Sequence, residues 1–125
     1  MSRLLVDTHA VLWWLADDPA LSSGARAAIA DPSAEPLVSA ASLWEIAVKR
    51  SLGKLRVPDD LPDEIAAAGF GRLPVSPEHA WAVRGLPFHH RDPFDRLLVA
   101  QAQAERLPVV TADVRFAPYG VETRW

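Results

Sequence analysis

The chain contains no cysteine, which excludes disulfides and thiolate metal sites. Zinc is disfavoured further, because the histidines show no ligand spacing. No apolar run approaches the ~20 residues of a membrane span. The apolar start is short, is broken by Asp7 and lacks a basic lead, so it does not read as a signal peptide; the expected location is cytoplasmic, with no membrane contact. Basic charge is also scarce: the formal net charge is −3. That argues against a bulk basic nucleic-acid binder but leaves room for an enzyme that meets nucleic acid through a local basic rim and metal ions. There is no repeat, linker or low-complexity tract, so the 125 residues read as a single domain spanning 1–125. What is abundant is apolar surface, at 50% of residues, enough for a core at this length.

The stretch from His89 to Asp113, HHRDPFDRLLVAQAQAERLPVVTAD, organises the rest. Asp92 reads as a helix N-cap and Pro93 as the first helical residue, where its missing N–H is harmless. Phe94, Leu97, Leu98 and the following alanines give this helix a packing face. Residues 107–111 then read as a short buried strand. Asp95 therefore falls in the first turn of a helix and Asp113 just past the end of a strand, where open α/β sheets place their chemistry.

Earlier segments repeat the pattern. Residues 4–6 read as a strand ending at Asp7, residues 10–16 and 21–30 as helices, and residues 37–39 as a second strand. Residues 40–52 read as a helix carrying Glu45, with Gly53 as its C′ residue. Helices are expected at 61–70 and 77–86, a short strand or extended linker at 73–75, and a final edge strand at 121–123. Strands alternating with helices imply an α/β fold with a parallel sheet flanked by helices.

Asp7, Glu45, Asp95 and Asp113 thus all fall at one end of the expected sheet. Singly, each has an ordinary explanation: a turn acid at Asp7 or Asp113, a capping box between Ser42 and Glu45, helix-dipole acids at Asp92 and Asp95. The capping box is the weaker reading of Glu45, because its helix is expected to begin near Ser39. Together the acids would repel one another and raise each other's pKa, unless a hard divalent cation such as Mg²⁺ or Mn²⁺ neutralised them. Such a site activates water and supports phosphodiester hydrolysis. Thr111 lies close enough in sequence to support a carboxylate or a bound water, and Thr8 either lines the site or caps a helix.

The segments LLVDTHAVLWWL, SAASLWEIAVKRSLGKL, LPFHHRDPFDRLLVAQAQAERLPVVTADVRF and YGVETRW together resemble the PIN domain family, in particular the VapC-type toxins of bacterial type II toxin–antitoxin pairs. The resemblance covers nearly the whole chain. It implies a three-layer α/β/α sandwich and a Mg²⁺- or Mn²⁺-dependent endoribonuclease that hydrolyses RNA with a metal-activated water. It also implies Asp7, Glu45, Asp95 and Asp113 as the catalytic and metal-binding set, and the choice of Asp95 over Asp92 comes from it. A homodimer and a cognate antitoxin, encoded as a separate chain, follow from the same resemblance.

Around the acids, His89, His90, Arg91 and Arg96 either contact RNA phosphate or serve as packing, capping or ion-pairing residues. His9 and Arg115 lie nearby in the same sense. Trp13, Trp14, Trp44 and Trp81 read as mostly core, with the adjacent Trp13 and Trp14 as the best hint of an interface. Lys49 and Arg50 read as a solvated charged face. The alternatives are a structure-specific DNA nuclease of related fold, disfavoured by the absence of an added DNA-binding module, and a non-catalytic interaction protein, disfavoured by the complete acid set. Phosphoryl transfer from an Asp ending the first strand lacks the second acid of a D-x-D motif.

Overall fold

The structure, a computed structural model, describes residues 2–125. In chain order the elements are β1 (Ser2–Val6), α1 (Thr8–Leu15), α2 (Ser23–Ala30), β2 (Ala34–Ser39), α3 (Ala40–Ser51), α4 (Leu61–Ala67), β3 (Gly71–Leu73), α5 (Pro77–Ala82), α6 (Pro93–Glu105), β4 (Val109–Val110) and β5 (Thr123–Arg124). Two 3₁₀ turns, Val83–Gly85 and Ala117–Tyr119, join them. The strands form one sheet in the order β3-β2-β1-β4-β5, and every pairing is parallel.

Alternation along the strands sends neighbouring side chains to opposite faces, and each face meets its own helices. Leu4, Val6, Val38 and Val110 join Val11, Ala25, Ile29, Leu61 and Ile65 in one core. Leu5, Leu37 and Val109 join Leu98, Val99 and Ala102 in the other. With both faces covered, strands of near-continuous apolar residues are the expected result, and the sequence-derived α/β/α sandwich is what the structure shows. Helix α3 stands between the layers, giving Ala41 to one core and Ile46 to the other.

Several boundaries move for identifiable reasons. Strand β2 begins at Ala34 rather than Leu37. Pro36 ordinarily stops a strand, but β3 joins only from Leu37 onward, so Pro36 sits where β2 is still an edge on that side. Helix α4 stops short of Phe70 because Gly69 adopts φ +95°. The amides of Gly69 and Phe70 then return to the Ala66 and Ile65 carbonyls in a Schellman closure. Gly53 closes α3 in the same way as expected, at φ +72°, with the Gly53 and Lys54 amides donating to Arg50 and Lys49. The helix expected over 77–86 is α-helical only to Ala82 and tightens into the 3₁₀ turn. Strand β3 lies at 71–73 rather than 73–75, and β5 at 123–124 rather than 121–123.

Two of the tryptophans read as core are on the surface: Trp44 is 57% and Trp81 66% exposed. Trp81 is covered on one face by the Arg84 guanidinium, 4.6 Å from the ring centre, and Trp44 meets Phe94 edge-on at 4.9 Å. Helical spacing alone misleads here, because α3 and α5 each leave one side without a covering element. Trp13 and Trp14 are half-buried, with Trp14 against Phe70. Among the described residues no helix is long and apolar enough to cross a membrane.

Candidate active site

The sheet order reverses beside β1. The chain runs from β1 outward through β2 to β3, then returns to place β4 on the other flank of β1. The crevice outside the C-terminal ends of β1 and β4 is the switch point of the fold, where open α/β sheets bind ligands. Asp7 follows β1 directly and Asp113 follows β4 within a short turn.

Asp7 is held at both ends. Its amide donates to the Val110 carbonyl at 3.1 Å, and its Oδ1 caps α1 by accepting the Ala10 amide at 2.8 Å. The helix cap is therefore Asp7 and not Thr8. The Thr8 hydroxyl instead donates to Ser42 Oγ at 2.9 Å, tying α1 to α3. Ser39 caps α3 by accepting the Ala41 amide, so Glu45 stands in the second turn with no capping box to make. It faces inward, 2% exposed. Its Oε2 accepts from the Lys49 ammonium one turn on, while its Oε1 is buried with no hydrogen-bond partner.

Asp92 caps α6, accepting the Phe94 and Asp95 amides at 2.8 and 3.2 Å. This leaves the Asp95 side chain free to turn into the crevice. His90 braces it there. His90 is 1% exposed, and its Nε2 lies 2.8 Å from Asp113 Oδ2 and 3.1 Å from Asp95 Oδ2. Its Nδ1 accepts the Asp92 amide at 3.2 Å, which places the ring hydrogen on Nε2, where it donates to Asp113. Three side chains here offer metal-type ligand atoms within 4.8 Å of one another: His90, Asp95 and Asp113. The hydrogen-bonding pattern makes His90 a donor that fixes the two carboxylates. Thr111 Oγ1 accepts the Asp113 amide at 3.0 Å, shaping the turn as it leaves β4.

Asp7 and Glu45 stand outside the close group of His90, Asp95 and Asp113, but their charges still bear on it. Burial pushes Asp95 up to about 7, reinforced by the negative charges of Asp92, Glu45, Asp7 and Asp113. Asp7 is raised as well, chiefly by burial, with the Thr111 hydroxyl and the Ala10 amide opposing. Burial also works upward on Asp113, but it is overcome by the Arg115 side chain and amide and by His90, which hold it at about 2. Lys49 is raised, first by its hydrogen bond to Glu45 and then by the charges of Glu45, Asp92 and Asp95. It is this chain's own counter-ion for the cluster.

A stability prediction follows for the metal-free protein. Asp95 moves from 3.8 to about 7 on folding. Between those values the folded protein keeps a proton that the unfolded chain has released, so stability falls as pH rises through the window. Asp113 acts in the opposite sense, but its contribution is complete above 3.8. Melting in EDTA is expected to drop by about 5 °C from about pH 5 to about pH 8, with Mn²⁺ restoring most at the higher pH. A flat profile would mean that Asp95 titrates as an ordinary carboxyl.

Two suggested RNA contacts are corrected. His90 is enclosed, with its ring against Phe116 and its amide donating to Tyr119 Oη at 2.9 Å. Arg96 is 6% exposed. Its guanidinium donates to the carbonyls of Val83, Leu86, Pro87 and His90, at 3.0 to 3.3 Å. Neither can reach phosphate. His89 and Arg91 are exposed, as are His9, which stacks on Trp13, and Arg115, which grips Asp113 through two nitrogens. Lys49 is the residue that the sequence reading missed. Its position four after Glu45 carries the signal, since that spacing puts both on one helix face.

The donor set matches a hard divalent cation. It consists of carboxylate oxygens, one of them a buried Glu45 Oε1 with nothing to satisfy it. An orphaned buried acceptor is costly, and Mg²⁺ or Mn²⁺ is the class of ion that carboxylate oxygens hold.

Comparison with known proteins identifies the family of the fold. Residues 4–121 match the family described as PIN domain. The chain belongs to the PIN domain family. No curated relative matches it significantly. Among solved structures, VapBC2 from Rickettsia felis bound to a DNA fragment from its promoter is similar with a TM-score of 0.68 at 13% identity, covering 97% of this chain and 96% of that one. The toxin–antitoxin system VapBC-5 from Mycobacterium tuberculosis is similar with a TM-score of 0.61 at 21% identity, covering 98% of each chain. FitAcB from Neisseria gonorrhoeae gives a TM-score of 0.58 at 15% identity, covering 96% and 95%. At these identities the PIN-domain likeness is one of fold.

Proposed function

We propose that this PIN domain is a Mg²⁺- or Mn²⁺-dependent endoribonuclease and the toxin of a toxin–antitoxin pair. The observation that carries the reading is the crevice itself: Asp95 and Asp113 share one His90 nitrogen, further acids arrive from β1, α3 and the α6 cap, and the buried Glu45 Oε1 has no partner. A fold that draws carboxylates from so many elements into one crevice is arranged to hold a cation. Asp7, Glu45, Asp95 and Asp113 would hold it. When bound, the ion supplies charge neutralisation and acidifies water for attack on a phosphodiester.

The chain's own residues do the rest. Asp92 and His90 set the Asp95 and Asp113 carboxylates through the hydrogen bonds described above. Thr8 and Ser42 hold α3 so that Glu45 points inward. The Lys49 side chain is partly exposed and offers positive charge to an incoming phosphate at the mouth. Exposed His89 and Arg91 provide the nearby rim, in keeping with RNA as the substrate.

The antitoxin reading is supported by the similarity to toxin–antitoxin structures and by an apolar groove of about 400 Å³ between α1 and α4, lined by Leu12, Trp13, Leu15, Leu55, Val57 and Leu61. A homodimer would use the exposed Trp44 with the half-buried Phe94, Val75 and Leu97. The location would be the cytoplasm.

The expected result with purified protein is cleavage of a mixed RNA pool in Mg²⁺ or Mn²⁺ and none in EDTA, leaving 5′-phosphate and 3′-hydroxyl ends. A 2′,3′-cyclic phosphate product would sink the mechanism, because it requires attack by the RNA's own 2′-hydroxyl.

A further inference from the structure

Phe88 is the aromatic residue that the fold leaves least explained. It is 76% exposed, at the tip of a turn between the 3₁₀ turn Val83–Gly85 and α6. An exposed phenylalanine on a loose loop would be ordinary, but this loop is pinned from below. Arg96 holds the carbonyls on both sides of Phe88, at Pro87 and His90. Tyr119 Oη donates to the Pro87 carbonyl at 2.7 Å and accepts the His90 amide. The Arg96 guanidinium also lies against one face of the Phe88 ring, 4.2 Å from its centre. One face is thus backed by a fixed cation and the ring is presented to solvent.

The position adds the second half of the argument. His90, two residues on, touches Asp95 and Asp113, and Arg96 is the chain neighbour of Asp95. Phe88 therefore sits on the loop that delivers His90 to the acid crevice. His89 and Arg91 are exposed on the same loop, His89 with its ring edge-on to Tyr119, while Arg115 is already paired with Asp113. A rigid aromatic face backed by one guanidinium, with the free Arg91 cation on its loop, suits a flexible polyanion with flat bases. Bases in a single strand are free to stack on such a ring, whereas those in a duplex are already stacked on each other.

We infer that Phe88 is a stacking platform for an unpaired base next to the scissile phosphate, with His89 and Arg91 meeting the flanking backbone. The platform thereby favours an unpaired base over a paired one at that position. The inference rests on the ribonuclease reading for its place in catalysis, though not for the stacking itself, which is indifferent to the sugar.

The test is binding of a fluorescently labelled single-stranded RNA 12-mer in EDTA, where no cleavage occurs, by the wild type and by Phe88→Leu and Phe88→Trp. Leucine keeps apolar cover over Arg96 and removes the π-face; tryptophan restores one. Phe88→Leu is expected to bind about tenfold more weakly and Phe88→Trp at least as tightly as wild type, with melting temperatures unchanged. A duplex of the same length, and a 12-mer made abasic throughout, should not distinguish the three proteins. Equal single-strand affinity in Phe88→Leu and wild type would overturn the platform and leave Phe88 as a cover for Arg96. Equal losses on the duplex and the abasic strand would overturn it too, since those read the backbone alone. A single-stranded DNA 12-mer separates the two readings: the same ranking on DNA in a protein that cleaves no RNA would sink the ribonuclease reading and keep the platform.

Discussion

Asp95→Asn should reduce RNA cleavage by on the order of a thousandfold or more, equivalent to about 4 kcal/mol of transition-state stabilisation, while leaving the protein at least as stable. The amide is nearly the same size and keeps the neighbourhood of His90. It removes the charge on which Asp92, Glu45, Asp7 and Asp113 all bear. In metal-free solution above about pH 7, that relief should raise the melting temperature by a few degrees. Asp7→Asn should match it in activity, since the remaining oxygen still accepts the Ala10 amide and keeps the α1 cap. Lost activity with unchanged or improved melting is the signature of an acid kept for chemistry. Residual cleavage in both well-folded variants at the wild-type rate would place the active site elsewhere. Cleavage assays run beside calorimetry on the same preparations read both quantities.

Arg96→Met should be strongly destabilising, by about 2–4 kcal/mol, through the loss of charge-assisted hydrogen bonds to four carbonyls. Methionine fills much of the same volume. All four carbonyls lose the guanidinium: Leu86 is left with no partner, Val83 keeps the Leu86 amide, and Pro87 and His90 keep only the Tyr119 hydroxyl, at 2.7 and 3.4 Å. Buried carbonyls that lose a charged donor carry a desolvation penalty that neutral packing cannot recover. At this chain length the corresponding fall in melting temperature is about 8–15 °C. Arg96→Lys should lie between, because an ammonium has fewer donors and no planar fork to spread over such separated acceptors. Chemical denaturation of the three proteins checks the order, and a methionine variant as stable as wild type would show that the loop does not depend on this residue.

Much of the layout was legible because it is written in short-range chemistry. Asp92-Pro93 announces a helix start, and Gly53 a helix end, through backbone requirements that few other residues meet. The apolar runs that end at Asp7 and near Asp113 could be read as buried parallel strands, with acids delivered to one edge. The directions of individual side chains were less legible. Arg96 and Arg91 are both basic and close in sequence, yet one is sealed inside and the other exposed. What separates them is the path of the 83–90 carbonyls, which only the folded chain defines. Trp44 misled for a related reason: a helix period identifies a common face but not whether another element covers it.

The pairing of Lys49 with Glu45 has a consequence for the order of events in the cell. An acid cluster with no cation of its own would push the fold apart until an ion arrived, and folding would then wait on metal supply. Here one buried carboxylate meets a tethered ammonium from the next turn of the same helix, so part of the repulsion is met by a contact that forms with the helix itself. The contact lets the chain reach its fold without waiting for an ion. On the metal-dependent reading, readiness to act would then be a question of ion exchange at the mouth, separate from the question of whether the protein has folded.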